Sequence, residues 1–215
     1  MNNIFVVGLG PGNMKYITPA AVEALEKSSV IAGGRRNLES LEDIEKLNLS
    51  GKELFEIKGP LENTKAFIES KRTDKTVSVI ASGDPGFYGI LAYMKRTFGK
   101  ENLTVIPGIS AIQYLFAKIG MVWHDAHLGS VHGRDEDVVA AVTTNEVSLF
   151  LTDKKNSYRF IAETLCNAGL KNVKMYVGSN LSYENEEILE DRAENILNIE
   201  TDANLAIVVV ENENR

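Results

Sequence analysis

Ile4-Phe5-Val6-Val7-Gly8-Leu9-Gly10-Pro11-Gly12 is the stretch that decides the fold. Four consecutive apolar residues running into a glycine-rich turn describe a short strand buried on both faces, as in the interior of a parallel sheet. Thr18-Pro19 then starts a helix, with Thr18 as N-cap and Pro19 at the first helical position, where its missing N–H costs nothing. The same order of strand, glycine turn and helix returns twice. Val77 to Ala81 leads into Ser82-Gly83-Asp84-Pro85-Gly86 and a helix from Phe87 to Phe98 that stops at Gly99. Leu103 to Ile106 leads into Pro107-Gly108-Ile109-Ser110, which opens a helix ending near Gly120. Ligands of open α/β sheets bind outside the carboxyl ends of strands, where these turns fall.

Outward from this frame, Val30-Ile31-Ala32 reads as a strand closed by a turn, Gly33-Gly34-Arg35-Arg36. Residues 37 to 73 are polar and mixed, with one helix near Thr64 to Ser70. The second half predicts strands at Ala126 to Val131, Val147 to Leu151, Val173 to Val177 and Leu205 to Val210. Its helices are expected at Asp137 to Val142, Tyr158 to Asn167 and Asp191 to Leu197, with Gly169 as a C-terminal cap. The alternation predicts the α/β class, in two α/β domains with largely parallel or mixed sheets. The layout places them at residues 1–115 and 116–215.

Of the 215 residues, 44% are apolar and 25% charged, an ordinary globular balance with enough chain for a sizeable core. Cys166 is the only cysteine, so no intrachain disulfide contributes. No apolar run approaches the ~20 residues that span a bilayer, and the N-terminus carries no basic leader, so a cytoplasmic location is expected, without a membrane partner. Lys+Arg is 23 against Asp+Glu 30, a net charge of −7 with no basic run. That balance disfavours nucleic acid and favours a small-molecule partner.

The first turn fails the dinucleotide pattern G-x-G-x-x-G, because Asn13 stands where the last glycine belongs and Pro11 lacks an N–H. An NADP-binding oxidoreductase stays open through Arg35-Arg36, which lie about 20 residues beyond the turn, where a 2′-phosphate would be held. Asp84 either accepts hydrogen bonds from a ligand or holds its own turn by an Asx bond. Ser110 either faces a ligand or caps a helix. His124 and His127 lack the further ligands of a tetrahedral site, so no metal is expected. Ser130-Val131-His132-Gly133-Arg134 presents a histidine and an arginine beside a glycine. Cys166 falls on an apolar helix face and reads as core. No nucleophile elbow or Walker pattern occurs, which suggests direct transfer between two bound small molecules.

Taken in order, Gly-Leu-Gly-Pro-Gly at residues 8 to 12, Gly-Asp-Pro at 83 to 85, Pro-Gly-Ile-Ser at 107 to 110 and the late strand resemble the tetrapyrrole methylase family of S-adenosylmethionine-dependent enzymes. The resemblance covers nearly the whole chain. Ile31-Ala32-Gly33-Gly34-Arg35-Arg36 and Ser130 to Arg134 resemble the branch that methylates carbon 5 of a cobalt-precorrin in cobalamin biosynthesis. It implies a homodimer with the donor in a cleft between two domains. The donor contacts it implies are Leu9, Gly10, Pro11, Gly83, Asp84, Phe87, Ser110 and Ala111, then Leu151-Thr152, Gly178 and Ala206. S-adenosylhomocysteine is the implied product. Related bacterial proteins fuse a decarboxylating, C15-methylating domain behind this one, so that activity is expected on a separate partner.

Beside the resemblance, His132 is the candidate acid/base. A corrinoid bearing several carboxylates needs a local cationic cluster, for which Arg35, Arg36 and Arg134, with Lys154 and Lys155, are the candidates. Other readings are a relative acting on another precorrin carbon, on diphthine or on ribosomal RNA, the oxidoreductase, and a non-enzymatic nucleotide-binding module.

Overall fold

A computed structural model describes residues 3–201 and 206–213. The chain divides into two compact units, Met1–Ala111 and Ile112–Arg215. The first unit runs β1 (Ile4–Gly8), α1 (Pro19–Lys27), β2 (Val30–Gly33), α2 (Arg35–Glu39), β3 (Glu53–Glu56), α3 (Leu61–Lys71), β4 (Val77–Ala81), α4 (Leu91–Phe98) and β5 (Leu103–Ile106). Its sheet has the order β3-β2-β4-β1-β5 with every pair parallel. Alternate side chains leave by opposite faces. Ile4, Val6, Val30, Ala32, Val77 and Val79 pack against Ile68, Met94 and Phe98 of α3 and α4. Val7, Ile31 and Ile80 pack the other way, against Ala21, Ala24 and Leu25 of α1. The central strands therefore have both faces covered, which is why they read as nearly continuous apolar runs, with buried Ser78 in β4 the one polar residue.

The second unit opens with α5 (Ala111–Ile119), whose first residue closes the first unit. It continues with β6 (His127–Ser130), α6 (Val138–Thr144), β7 (Val147–Leu151), α7 (Tyr158–Asn167), β8 (Lys174–Ser179), β9 (Glu187–Arg192), α8 (Ala193–Ile196) and β10 (Ala206–Glu211). The sheet order is β6-β7-β10-β8-β9, parallel between β6 and β7 and antiparallel elsewhere. One face buries Phe150, Met175, Val177, Val208 and Val210 under Val142, Ile161, Leu165 and Ile196 of α6, α7 and α8. Cys166 is partly buried against this cluster, and burial pushes its thiol up, as fits a packing residue.

Caps expected from the sequence are in place. Thr18 Oγ1 accepts from Ala21 N–H at 3.2 Å and Gly169 takes φ +81° behind α7; Asp137, expected as the first helical residue, instead caps α6, its Oδ1 accepting from Ala140 N–H at 2.9 Å. Five other expectations are corrected. Arg35 and Arg36 begin helix α2 rather than sit in a turn, because Leu38 behind them packs on the α1 face of the sheet. The helix expected from Phe87 begins only at Leu91, since Tyr88 is held at φ +50°. The helix expected near Thr64 to Ser70 extends over Leu61–Lys71. Strand β3 was not expected at all. Asp191 and Arg192 end strand β9, and only Ala193–Ile196 is helical. Leu205, assigned to the last strand, lies outside the described residues.

Candidate functional site

Because β4, β1 and β5 are neighbours, the three glycine turns that follow them in the first unit come together. Gly83 N–H donates to Gly10 O at 2.7 Å, and Gly10 N–H to Gly83 O at 3.3 Å. A Cβ on Gly8 would lie 2.6 Å from Gly108 N and from Gly83 O, and one on Gly108 only 2.2 Å from Gly83 O. Three main chains thus meet at distances that exclude any side chain. Asp84 does what an Asx turn requires and more. Its Oδ1 accepts from Gly86 N–H at 2.7 Å, while Oδ2 accepts from Gly108 N–H at 3.2 Å and ties the second turn to the third. Leu9 is 2% exposed within the core, so it can offer a ligand only its main chain. Gly10, Pro11 and Gly83 are buried, whereas Phe87, Ser110 and Ala111 are half-buried. Tyr88, 45% exposed and edge-on to Phe87 with centroids 4.8 Å apart, joins this edge unforeseen.

The second unit gathers its own candidates at the end of β7. Ile207 of β10 pairs with Leu151 on one side and Gly178 on the other. Thr152 Oγ1 donates to Ala206 O at 2.7 Å and accepts from Ala206 N–H at 3.0 Å, so Leu151, Thr152, Gly178 and Ala206 form one neighbourhood. His132 is exposed, with Nδ1 3.2 Å from Thr152 O. Asp153 Oδ2 accepts from Gly133 N–H at 3.0 Å. Hydrogen bonds from the N–H groups of Asn156 and then Gly133 hold the Asp153 carboxyl below its ordinary range. Its bracing is therefore complete at neutral pH and is lost only as the pH falls through that lowered value.

The family model of tetrapyrrole (corrin/porphyrin) methylases matches residues 3–197. The chain belongs to the tetrapyrrole methylase family. Among its relatives, the cobalt-precorrin-7 C(5)-methyltransferase of Salmonella typhimurium is 38% identical over 183 residues, 85% of this chain and 87% of the relative. The probable cobalt-precorrin-7 C(5)-methyltransferase of Methanocaldococcus jannaschii is 31% identical, covering 86% of this chain and 87% of that one. The uroporphyrin-III C-methyltransferase of Thermus thermophilus, solved in complex with S-adenosylhomocysteine, shares the fold. Its TM-score is 0.74 at 19% identity, covering 98% of this chain and 92% of that one.

In this tetrapyrrole methylase the expected cations fall in two places. Arg35 and Arg36 stand exposed beyond β2, on the same strand-end edge as the glycine turns. Arg35 pairs with Glu39 at 2.8 Å, an exposed contact within one helix that adds little to stability and is readily exchanged for another carboxylate. Arg134, Lys154 and Lys155 are exposed on the second unit's loops. The remaining histidines are occupied, His124 with Asp125 at 2.7 Å and His127 with Glu136 at 2.9 Å. Among the described residues no three His, Cys, Asp or Glu side chains are grouped to hold a metal ion, and no helix is long and apolar enough to cross a membrane.

Sequence reasoning missed Asp153 and Asn156, although Thr152-Asp153-Lys154-Lys155-Asn156-Ser157 behind an apolar strand carries the composition of an Asx-turn loop. It also missed the loop behind β8, where Asn180 and Ser182 take φ +45° and +70° and Glu186 accepts from Ser182 N–H at 2.6 Å. That glutamate pairs with Lys118 at 2.9 Å beside buried Tyr114, whose phenol is pushed up to about 12, first by burial.

The tie made by Asp84 gives a direct expectation. Asp84→Ala leaves the Gly86 and Gly108 N–H groups without their acceptor and should cost about 1 kcal/mol, or roughly 2–4 °C in melting temperature. Scanning calorimetry checks this; an unchanged melting temperature would show that the carboxylate does not brace the turns.

Proposed function

We propose that the chain is an S-adenosylmethionine-dependent methyltransferase that methylates carbon 5 of cobalt-precorrin-7 in cobalamin biosynthesis. The observation that carries the reading is the meeting of three glycine turns at adjacent parallel strand ends, with main-chain groups and half-buried Phe87, Ser110 and Ala111 at their edge. Such an edge suits a ligand laid against bare backbone. It does not suit a pyrophosphate, because the turn after β1 leads into one 3₁₀ turn, Met14–Tyr16, and α1 begins only at Pro19. The NADP reading loses further support from Arg35, which lies within a helix and pairs with Glu39. The relatives named cobalt-precorrin-7 C(5)-methyltransferases support the choice of substrate and carbon.

A bound sulfonium donor supplies an already activated methyl group, so the protein needs no nucleophile of its own. Its residues have three tasks. The turns at Gly10, Gly83 and Gly108, braced by Asp84, hold the donor in a fixed pose, since in-line displacement depends on alignment. Arg134, with Arg35, Arg36, Lys154 and Lys155, takes the substrate's carboxylates, arginine being suited to bidentate capture. His132 receives the proton that leaves the methylated carbon. Leu9, Pro11, Leu151, Gly178 and Ala206 complete the proposed donor contacts. A homodimer, a separate decarboxylating C15-methylating partner and a cytoplasmic location, which suits a single cysteine, belong to the same proposal.

Isothermal titration tests the reading. S-adenosylhomocysteine should bind with micromolar-range affinity and NADPH should not; saturable NADPH binding without S-adenosylhomocysteine binding removes the methyltransferase reading. Arg134→Ala should leave that binding intact while transfer to the corrinoid falls by about tenfold or more. Arg134→Lys should not restore it if the contact is bidentate.

A further inference from the structure

The loop after β7 grips both peptide groups that flank His132. Asp153 Oδ2 accepts from Gly133 N–H at 3.0 Å, on the C-terminal side. Asn156 Nδ2 donates to Val131 O at 2.8 Å, on the N-terminal side. The loop is stiffened in turn by Asp153 Oδ1, which accepts from Lys155 N–H at 2.8 Å and Asn156 N–H at 2.7 Å. It is anchored to the sheet by Thr152, whose hydroxyl both donates to and accepts from the main chain of Ala206. Gly133 takes φ +59°, which a side chain would strain, so the bend that presents His132 is fixed by backbone as well as by these bonds.

The ring itself is oriented by the same loop. Its Nδ1 faces Thr152 O at 3.2 Å, and a carbonyl oxygen only accepts, so Nδ1 carries a hydrogen in both the neutral and the charged ring. Proton exchange is confined to Nε2, which has no hydrogen-bond partner among the described residues. The charged groups on the two segments around the ring are Arg134 and Asp135 on its own turn, and Asp153, Lys154 and Lys155 on the loop. Of these, Asp153 is the carboxylate whose own range is lowered, first by the Asn156 and Gly133 N–H groups and last by the nearby His132.

We propose that Asp153 and Asn156 are positioning residues that hold His132 as a one-tautomer acid/base, with Nδ1–H fixed on Thr152 O and Nε2 presented to the methylated corrinoid carbon. In the step served, the C–H bond at that carbon breaks and its electron pair returns to the ring system. Nε2 takes the proton, and the imidazolium, stabilised by the Asp153 charge, later passes it to water. This rests on the reading of His132 given under Proposed function. A loop whose only task is to close the sheet would not need to grip both sides of an exposed histidine.

Asp153→Asn is the discriminating variant. Its Oδ1 can keep the Lys155 and Asn156 N–H bonds, while its amide replaces the acceptor that faced Gly133 N–H and removes the charge. Nitrogen-15 NMR of the ring in the free protein should show a single Nδ1–H tautomer in the wild type. In Asp153→Asn it should show mixed tautomers. In corrinoid methylation assays kcat should fall by about tenfold or more, with the KM for the donor unchanged. Asn156→Ala releases the other side of the grip and keeps the Asp153 charge, so kcat should fall there too; this variant carries the test if Asp153→Asn does not fold. The wild-type tautomer in Asp153→Asn, or wild-type kcat in Asn156→Ala, overturns the proposal. Failure of the underlying reading looks different: His132→Ala would then retain full transfer, whatever the NMR of the variants shows.

Discussion

His132→Ala is expected to lower methyl transfer to the corrinoid by about 10²- to 10⁴-fold, the range that a positioned general acid/base contributes. The expectation follows from where the ring stands. It is exposed at the end of β6, its Nδ1 is committed to Thr152 O, and its side chain contributes nothing to the buried cluster of the second unit. Removing it should therefore leave the fold, the melting temperature and S-adenosylhomocysteine affinity unchanged. Single-turnover measurement at saturating donor isolates the step, because a loss confined to kcat marks an interaction made in the transition state. Full transfer by the variant would return the turn at Gly133 to a surface bend and pass proton removal to another group.

Gly108→Ala should abolish donor binding, weakening S-adenosylhomocysteine by more than about 100-fold. The added methyl would lie 2.2 Å from Gly83 O and 2.8 Å from Gly8 C. Both are main-chain atoms, so no flexible side chain can yield and whole turns must separate. Overpacking of this kind costs about 1–3 kcal/mol, or several degrees of melting temperature. It also breaks the Gly108 N–H contact to Asp84 Oδ2. The control is Gly34→Ala, where the new methyl meets nothing within 4 Å and φ is −63°. Titration calorimetry of both variants reads the contrast. Equal affinities would mean that the meeting of the three turns has no part in holding the donor.

The sequence by itself determined what depends on neighbours along the chain. The buried strands β1, β2, β4 and β7 announce themselves because both of their faces are covered and every residue is apolar or small. Thr18-Pro19 and Gly169 mark helix ends because capping is a matter of a few adjacent residues. The glycine turns, and the resemblance they carry, were legible for the same reason.

What only the tertiary structure decided is pairing. β3 and β9 lie at the edges of their sheets, and their sequences, Glu53-Leu54-Phe55-Glu56 and Glu187 to Arg192, are rich in charge. Edge strands keep charges that discourage further pairing, and this hides them from a search for apolar runs. Their partners are remote, Glu53 meeting Lys71 at 2.5 Å and Lys75 at 3.0 Å, and Glu190 meeting Lys174 at 2.6 Å. The same holds for the sites. That Gly8, Gly83 and Gly108 touch follows from the strand order β4-β1-β5, and that His132 is gripped by Asp153 and Asn156 follows from β6 lying beside β7. A residue's type and spacing set what it can donate or accept. Which remote group stands opposite is set by how the sheet brings its strand ends together.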